Sequence, residues 1–201
     1  MNIRIVALCL TLAAPLGLAQ ESPKSVANAA AAERAAMLET LQKGKPITGS
    51  RGRYRHVPEV LAVARGADET PQEAIARMGA RADQLLETKG RLVLFRSTRQ
   101  KAASVEAVGG SVVYPVVLNA RTGTFGVLTG TLVVKPKSLA DAAAIASSHG
   151  LEKGKEYPHL QTVFYRAKAG TDIAEALAAL QADARIESAY PEIIEYVRVP
   201  K

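Results

Sequence analysis

The sequence predicts an α+β fold, an antiparallel sheet with helices on one face. Three observations predict it. Short β-rich runs alternate with helical runs from Val57 onward. Gly and Pro mark most of the junctions between them. No cysteine follows Cys9, so a packed core rather than disulfides must hold the fold.

The elements follow in chain order. Met1–Arg4 is a short basic start, and an apolar run extends from Ile5 to Leu18, closing on Gly17-Leu18-Ala19. This three-part layout predicts a secretory signal peptide over 1–19, cleaved after Ala19. The run is shorter than the roughly 20 apolar residues that span a bilayer. An exported chain, secreted or periplasmic and without stable membrane insertion, is therefore expected. Residues 20–52 read as a lead-in, helical where Ala, Glu and Leu dominate from Ser25 to Leu41, then broken by Gly44, Pro46, Gly49 and Gly52.

A first unit is expected over 53–120. Val60–Val63 is a strand. Thr70 caps a helix with Pro71 and Glu73 in a capping-box arrangement, and the helix is expected to reach about Thr88. Leu92–Phe95 is the next strand, Ala102–Val108 a short helix ended by Gly109-Gly110, and Val112–Leu118 a third strand. Pro115 inside that strand predicts an edge or a bulge, because proline cannot donate to the ladder.

A second unit is expected over 121–201. Asn119–Gly130 reads as a turn region with three glycines. Leu132–Val134 is a strand, and Ser138 caps a helix from Leu139 to about Ser148. Thr162–Tyr165 is a strand, and Thr171-Asp172 opens a helix to Ala182 with Ile173, Ala176, Leu177 and Leu180 on one face. Ser188–Val199 is the last extended stretch. Both units thus share the order β-α-β-α-β. Phe95-Arg96 corresponds to Tyr165-Arg166, and Tyr114-Pro115 to Tyr190-Pro191. Two degenerate βαβ-type repeats of this length predict a ferredoxin-like α/β sandwich.

Charge and composition narrow the function. The 26 basic residues outnumber the 19 acidic ones, a net +7 that becomes +6 once Arg4 is removed. The basic residues are scattered and aromatics are only 4%, so no nucleic-acid platform is expected. Three separate histidines, His56, His149 and His159, form no metal-ligand spacing and no plausible triad. No catalytic residue, metal or cofactor is assigned.

The stretch from about Ser111 to Val199 resembles the pro-domain of subtilisin-like serine proteases, in the order of that family's elements. Tyr114-Pro115-Val116-Val117 resembles the lead-in strand and Leu128–Val134 the strand that follows. Ala144–Leu151 resembles the helix ending in His-Gly-Leu, and Gly170-Thr171-Asp172 the start of the next helix. Ile186-Glu187-Ser188-Ala189-Tyr190-Pro191-Glu192 resembles the family's close, with Tyr190 where an acidic residue is usual. The protease motifs themselves, Asp-Thr-Gly, His-Gly-Thr-His and Gly-Thr-Ser-Met, do not occur.

The resemblance implies a non-catalytic binding protein acting in trans as inhibitor or folding chaperone of a subtilisin-like serine protease. It implies a sheet face laid on the protease and a C-terminal tail, Tyr196, Val197, Arg198, Val199, Pro200 and Lys201, entering the active-site cleft as an added strand. Glu192 and Glu195 are the acidic residues expected to meet helix N-termini of the protease. The alternative is a non-catalytic adaptor or structural module of the cell envelope, because a ferredoxin-like unit does not by itself carry a function.

Overall fold

A computed structural model describes residues 44–50, 52–97 and 104–196, all within one compact unit. The signal peptide, the 25–41 helix and the tail residues Val197–Lys201 lie outside the described residues.

Two strands open the fold. β1 (Pro46–Gly49) pairs antiparallel with the start of β2 (Gly52–Ala64). β2 is far longer than its Val60–Val63 centre suggests, and a register irregularity between His56 and Leu61 lets it bend. α1 (Pro71–Ala76) forms where the capping box predicts. Thr70 Oγ1 accepts from Glu73 N at 3.3 Å, and Glu73 Oε2 accepts from Thr70 N at 2.8 Å.

The helix is shorter than expected. It ends before Gly79, and a 3-10 turn at Ala82–Gln84 leads into β3 (Leu85–Lys89), which pairs with β4 (Leu92–Arg96). The reason lies in the packing. Leu85 and Leu86 join apolar clusters on opposite faces of the sheet, which adjacent strand residues do and adjacent helix residues do not.

The expected helix at Ala102–Val108 is also corrected, over its described part. Glu106–Val108 is β5, the first arm of a hairpin with β6 (Ser111–Asn119). Its turn is Gly109-Gly110 with φ of 56° and 77°, the positive pair that a two-residue hairpin turn demands. The expected turn region 119–130 contracts to Asn119–Thr124. Asn119 organises it, its Oδ1 accepting from Arg121 N and Thr122 N at 3.0 and 3.2 Å. β7 (Phe125–Pro136) begins directly after it. Gly126 therefore sits inside a strand, where a Cβ would come within 2.5 Å of Ile193 Cγ2.

The remaining elements are a 3-10 turn (Leu139–Asp141), α2 (Ala142–Ser148), β8 (Glu152–Tyr157), β9 (Thr162–Arg166), α3 (Ile173–Ala182) and β10 (Ile186–Ile194). Ser138 accepts from Ala140 N as its position predicts, and Asp172 Oδ1 caps α3 through Ala174 N and Glu175 N at 2.9 and 3.2 Å. β8, Glu-Lys-Gly-Lys-Glu-Tyr, was not expected, because a charged edge strand carries no apolar alternation. From β7 onward the order is β-α-β-β-α-β. The first half holds one described helix, so the two halves do not share one element order.

All ten strands join one antiparallel sheet, whose main path is β3-β4-β2-β6-β7-β9-β8. β10 pairs along one flank of β7. The opposite flank is shared: β6 holds Phe125–Val127 and β9 holds Thr131–Val134. Pro115 falls in the interval of β6 that neither β5 nor β7 pairs, so its missing N–H costs no ladder bond there.

Val113 and Val117 lie on the same face of β6. Val113 packs in the cluster under α1, with Ile75 and Phe95, and Val117 in the cluster under α2 and α3. The helices thus cover one face. The largest cluster joins Leu128, Leu132, Val134, Val163 and Tyr165 of the sheet to Ile145, Ile173, Leu177 and Leu180 of the helices. Leu132→Ala in this cluster should cost about 2–5 kcal/mol, read as a lowered midpoint in urea unfolding with an unchanged slope.

Candidate interaction surface

The sheet face opposite α2 and α3 carries the features of a binding surface. Strand alternation decides which residues reach it. Leu132 and Val134 point to the helices, so Thr129, Thr131, Val133 and Lys135 of β7 point away from them. The register then sets Tyr190 of β10, Val133 of β7 and Phe164 of β9 in one row across the three strands. Tyr190 and Phe164 are half-buried. Tyr157 of β8 stands edge-on to Phe164 at 5.4 Å, and Lys155 Nζ lies 4.7 Å from the Tyr157 ring centroid.

Two adjoining clefts open on this face. One, of about 370 Å³, is lined by Tyr157, Phe164, Lys155 and Glu192. The other, of about 460 Å³, lies where β6 and β7 part company and is lined by Val112, Tyr114, Val127, Thr129 and Ile194. Thr131 and Arg166 line both. The Arg166 guanidinium is exposed and has no ion pair among the described residues, whereas Lys135 pairs with Glu187 at 2.8 Å and Lys153 with Glu156 at 2.6 Å. The surface is thus an aromatic row with a cationic group beside it.

The sequence-assigned residues separate here. Glu192 is exposed and accepts from Thr129 Oγ1 at 2.7 Å, which holds its carboxylate at the rim of the smaller cleft. Tyr196 is 66% exposed. Glu195 lies inside, at 8% exposure. Its Oε1 accepts from Asn119 Nδ2 at 2.9 Å, and its backbone carbonyl accepts from Lys89 Nζ at 2.9 Å. Glu192 and Glu195 are therefore not a pair on one face. Val197, Arg198, Val199, Pro200 and Lys201 lie outside the described residues. Phe164, Arg166, Lys89 and Asn119 went unassigned in the sequence. Only the strand pattern around Phe164 pointed toward one of them.

The histidines occupy three separate settings. His149 Nε2 meets Asp183 Oδ2 at 2.9 Å beside the Arg185–Asp183 ion pair. The Arg185 guanidinium, with His149 second, holds the Asp183 carboxyl far below the usual carboxylate range. His159 lies in the 3-10 turn Pro158–Leu160, edge-on to Tyr157 at 6.2 Å. His56 is buried at 5% exposure, and its Nε2 finds no hydrogen-bond partner. Among the described residues no group of three or more His, Cys, Asp or Glu is placed to hold a metal ion. No described helix is long and apolar enough to cross a membrane.

Burial pushes the His56 pKa down, with Asp172 opposing and Lys45 assisting. The fold thus prefers the neutral ring. Its stabilising effect is complete above the ordinary histidine value near 6.5 and is lost as pH falls through the lower folded value. The thermal midpoint should therefore fall between about pH 6.5 and 5, before carboxylates titrate, and His56→Gln should flatten that limb. A midpoint curve identical in the variant would exclude His56 as the cause.

A family model described as Open reading frame 2 N-terminal domain matches residues 75–198. No curated protein matches the chain. One chain of the crystal structure of the Aeromonas sobria serine protease (ASP) and the chaperone (ORF2) complex is similar at 23% identity. The match covers 49% of this chain and 99% of that one, with a TM-score of 0.37, too low to establish a shared fold.

Proposed function

The chain belongs to the Open reading frame 2 N-terminal domain family, and we propose that it is an exported, non-catalytic chaperone of a serine protease that also restrains the mature enzyme. The protease is of the subtilisin-like class. The observation that carries this reading is the sheet face that no described helix covers, with its Tyr190–Val133–Phe164 row, continuous with the last strand before the C-terminal tail. The strand order β10-β7-β9-β8 with α2 and α3 on one face supports treating residues 125–194 as a ferredoxin-like unit. The described part of the pro-domain-like text, which begins at Ser111, covers β6 and then these same elements. The family also shares its designation, open reading frame 2, with the chaperone that accompanies the Aeromonas protease.

The mechanism follows from complementarity. The aromatic row supplies apolar area to bury, and Arg166 and Lys155 supply charges for an acidic complement on the partner. Glu192, held by Thr129, presents a carboxylate to donors such as a helix N-terminus. The tail, Tyr196 with Val197–Lys201, adds as a strand in the active-site cleft, where main-chain hydrogen bonds provide affinity and alternate side chains provide selectivity. A surface that binds the folded enzyme lowers the free energy of that state, so chaperoning and inhibition are one interaction.

The test mixes the chain from Gln20 onward with a panel of serine proteases, subtilisin-like and chymotrypsin-like. Inhibition and recovery of activity after refolding are measured. Phe164→Glu should weaken binding at least about tenfold, and deletion of Val197–Lys201 should remove inhibition while leaving the melting temperature unchanged. The absence of binding, inhibition and refolding rescue across the panel would overturn the reading. Recovery of envelope partners without any protease would point to the adaptor role.

A further inference from the structure

We propose that Lys89 and Asn119, both in the first half of the chain, are positioning residues that set the point at which the C-terminal tail leaves the sheet. This rests on the reading that the tail engages the partner. The evidence is a convergence of contacts on the last two described residues. Lys89 ends β3, and its side chain is 5% exposed. A lysine buried to that degree needs acceptors, and Lys89 Nζ has two: Glu87 Oε1 at 2.7 Å and the Glu195 carbonyl at 2.9 Å. Asn119, 3% exposed, uses its Oδ1 to hold its own turn and its Nδ2 to hold Glu195 Oε1 at 2.9 Å.

The clasp reaches one residue further. Tyr196 Oη lies 3.4 Å from Thr124 Oγ1, in the turn that Asn119 organises, and the Tyr196 ring centroid is 5.9 Å from Lys89 Nζ. Gly126 makes room just before the clasp, since a Cβ there would stand 2.5 Å from Ile193 Cγ2. β10 itself ends at Ile194, so none of these contacts to Glu195 and Tyr196 belongs to the sheet ladder. They fix a chain segment beyond the last strand, using side chains 76 and 106 positions away. Such a tether gives a tail a defined origin and direction, which lowers the ordering cost when it binds. The first half of the chain is then part of the binding machinery, as a buttress, rather than only a second branch of the sheet.

Asn119→Asp is the incisive variant. It keeps the Oδ1 acceptor for Arg121 N and Thr122 N, replaces the donor to Glu195 by an acceptor, and sets two carboxylates against each other. Asn119→Asp combined with Glu195→Gln reverses donor and acceptor and restores the bond. Lys89→Met removes the second tether. Each is made in the full chain and in a chain ending at Tyr196, with melting temperatures recorded. Two readouts are taken. Hydrogen exchange over Ile193–Tyr196, which needs no protease, should lose protection in Asn119→Asp and Lys89→Met and regain it in the double variant. Affinity for an inhibited protease should fall at least about tenfold in the full chain. In the chain ending at Tyr196 it should change less than about twofold, because the positioned element is gone.

Equal losses with and without the tail would make the clasp merely structural and overturn the proposal, as would unchanged exchange at Ile193–Tyr196. A wild-type chain that shows the exchange pattern but binds no protease would instead overturn the function on which this inference rests.

Discussion

β7 is the strand on which the fold depends, because it changes partner along one flank. Val127 is in register with β6 on one side and β10 on the other, while Val134 is in register with β9 on one side and β10 on the other. A flank accepts one neighbour at each position, so β6 and β9 must separate between Val127 and Thr131. That separation divides the sheet into a branch made of the first half and a branch made of the second. It also opens the larger cleft. Within the gap, Gly130 O still finds a donor, accepting from Ala167 N at 2.9 Å. Pro115 of β6 meets the same gap and has no N–H to leave unsatisfied.

The division assigns roles to the two faces. On the helix face, three short described helices bury small and branched side chains, and Tyr165 and Asp172 are paired, whereas His56 Nε2 is not. Tyr165 is fully buried and its hydroxyl donates to Ala142 O at 3.0 Å. Burial pushes its phenol up to about 12. Lys45 Nζ bridges Asp172 and Glu175 at 3.0 Å each, joining the residue before β1 to the first turn of α3. The opposite face, along the second branch, keeps its aromatic row half-exposed. One face thus holds the packed core, and the other presents half-exposed aromatic side chains.

The local signals in the sequence held wherever they named a group with a single job. Thr70, Ser138 and Asp172 each cap the helical segment they precede, whereas Gly109-Gly110, expected to end a helix, is the turn of a hairpin. Runs such as Leu92–Phe95 and Thr162–Tyr165 are strands. Misreadings arose where a local preference met a distant partner. Leu85–Lys89 has the composition of a helix continuation, yet β4 captures it as a strand. Glu152–Tyr157 has no apolar pattern, yet the edge of β9 recruits it. Gly126 looks like a turn residue, yet it lies in a strand because Ile193 needs its space. Of the candidate surface, Glu192 was legible from its place near the end of the last strand. Phe164 and Arg166 were visible only as members of a strand, and their alignment with Val133 and Tyr190 depends on register across strands far apart in sequence.

By itself the sequence determined the class of fold, the caps that punctuate it, and a chain without disulfides beyond its start. These are properties of residues and near neighbours, carried by side-chain chemistry and short spacing. Only the tertiary structure decided that β7 would switch partners, that Glu195 would turn inward while Glu192 stayed at the surface, and that Lys89 and Asn119 would reach the end of the last strand. The switch depends on which strands pair along β7, and the contacts of Glu192 and Glu195 span 63 to 106 positions. No local preference encodes such pairing, because it is selected by the fit of whole faces in the packed core.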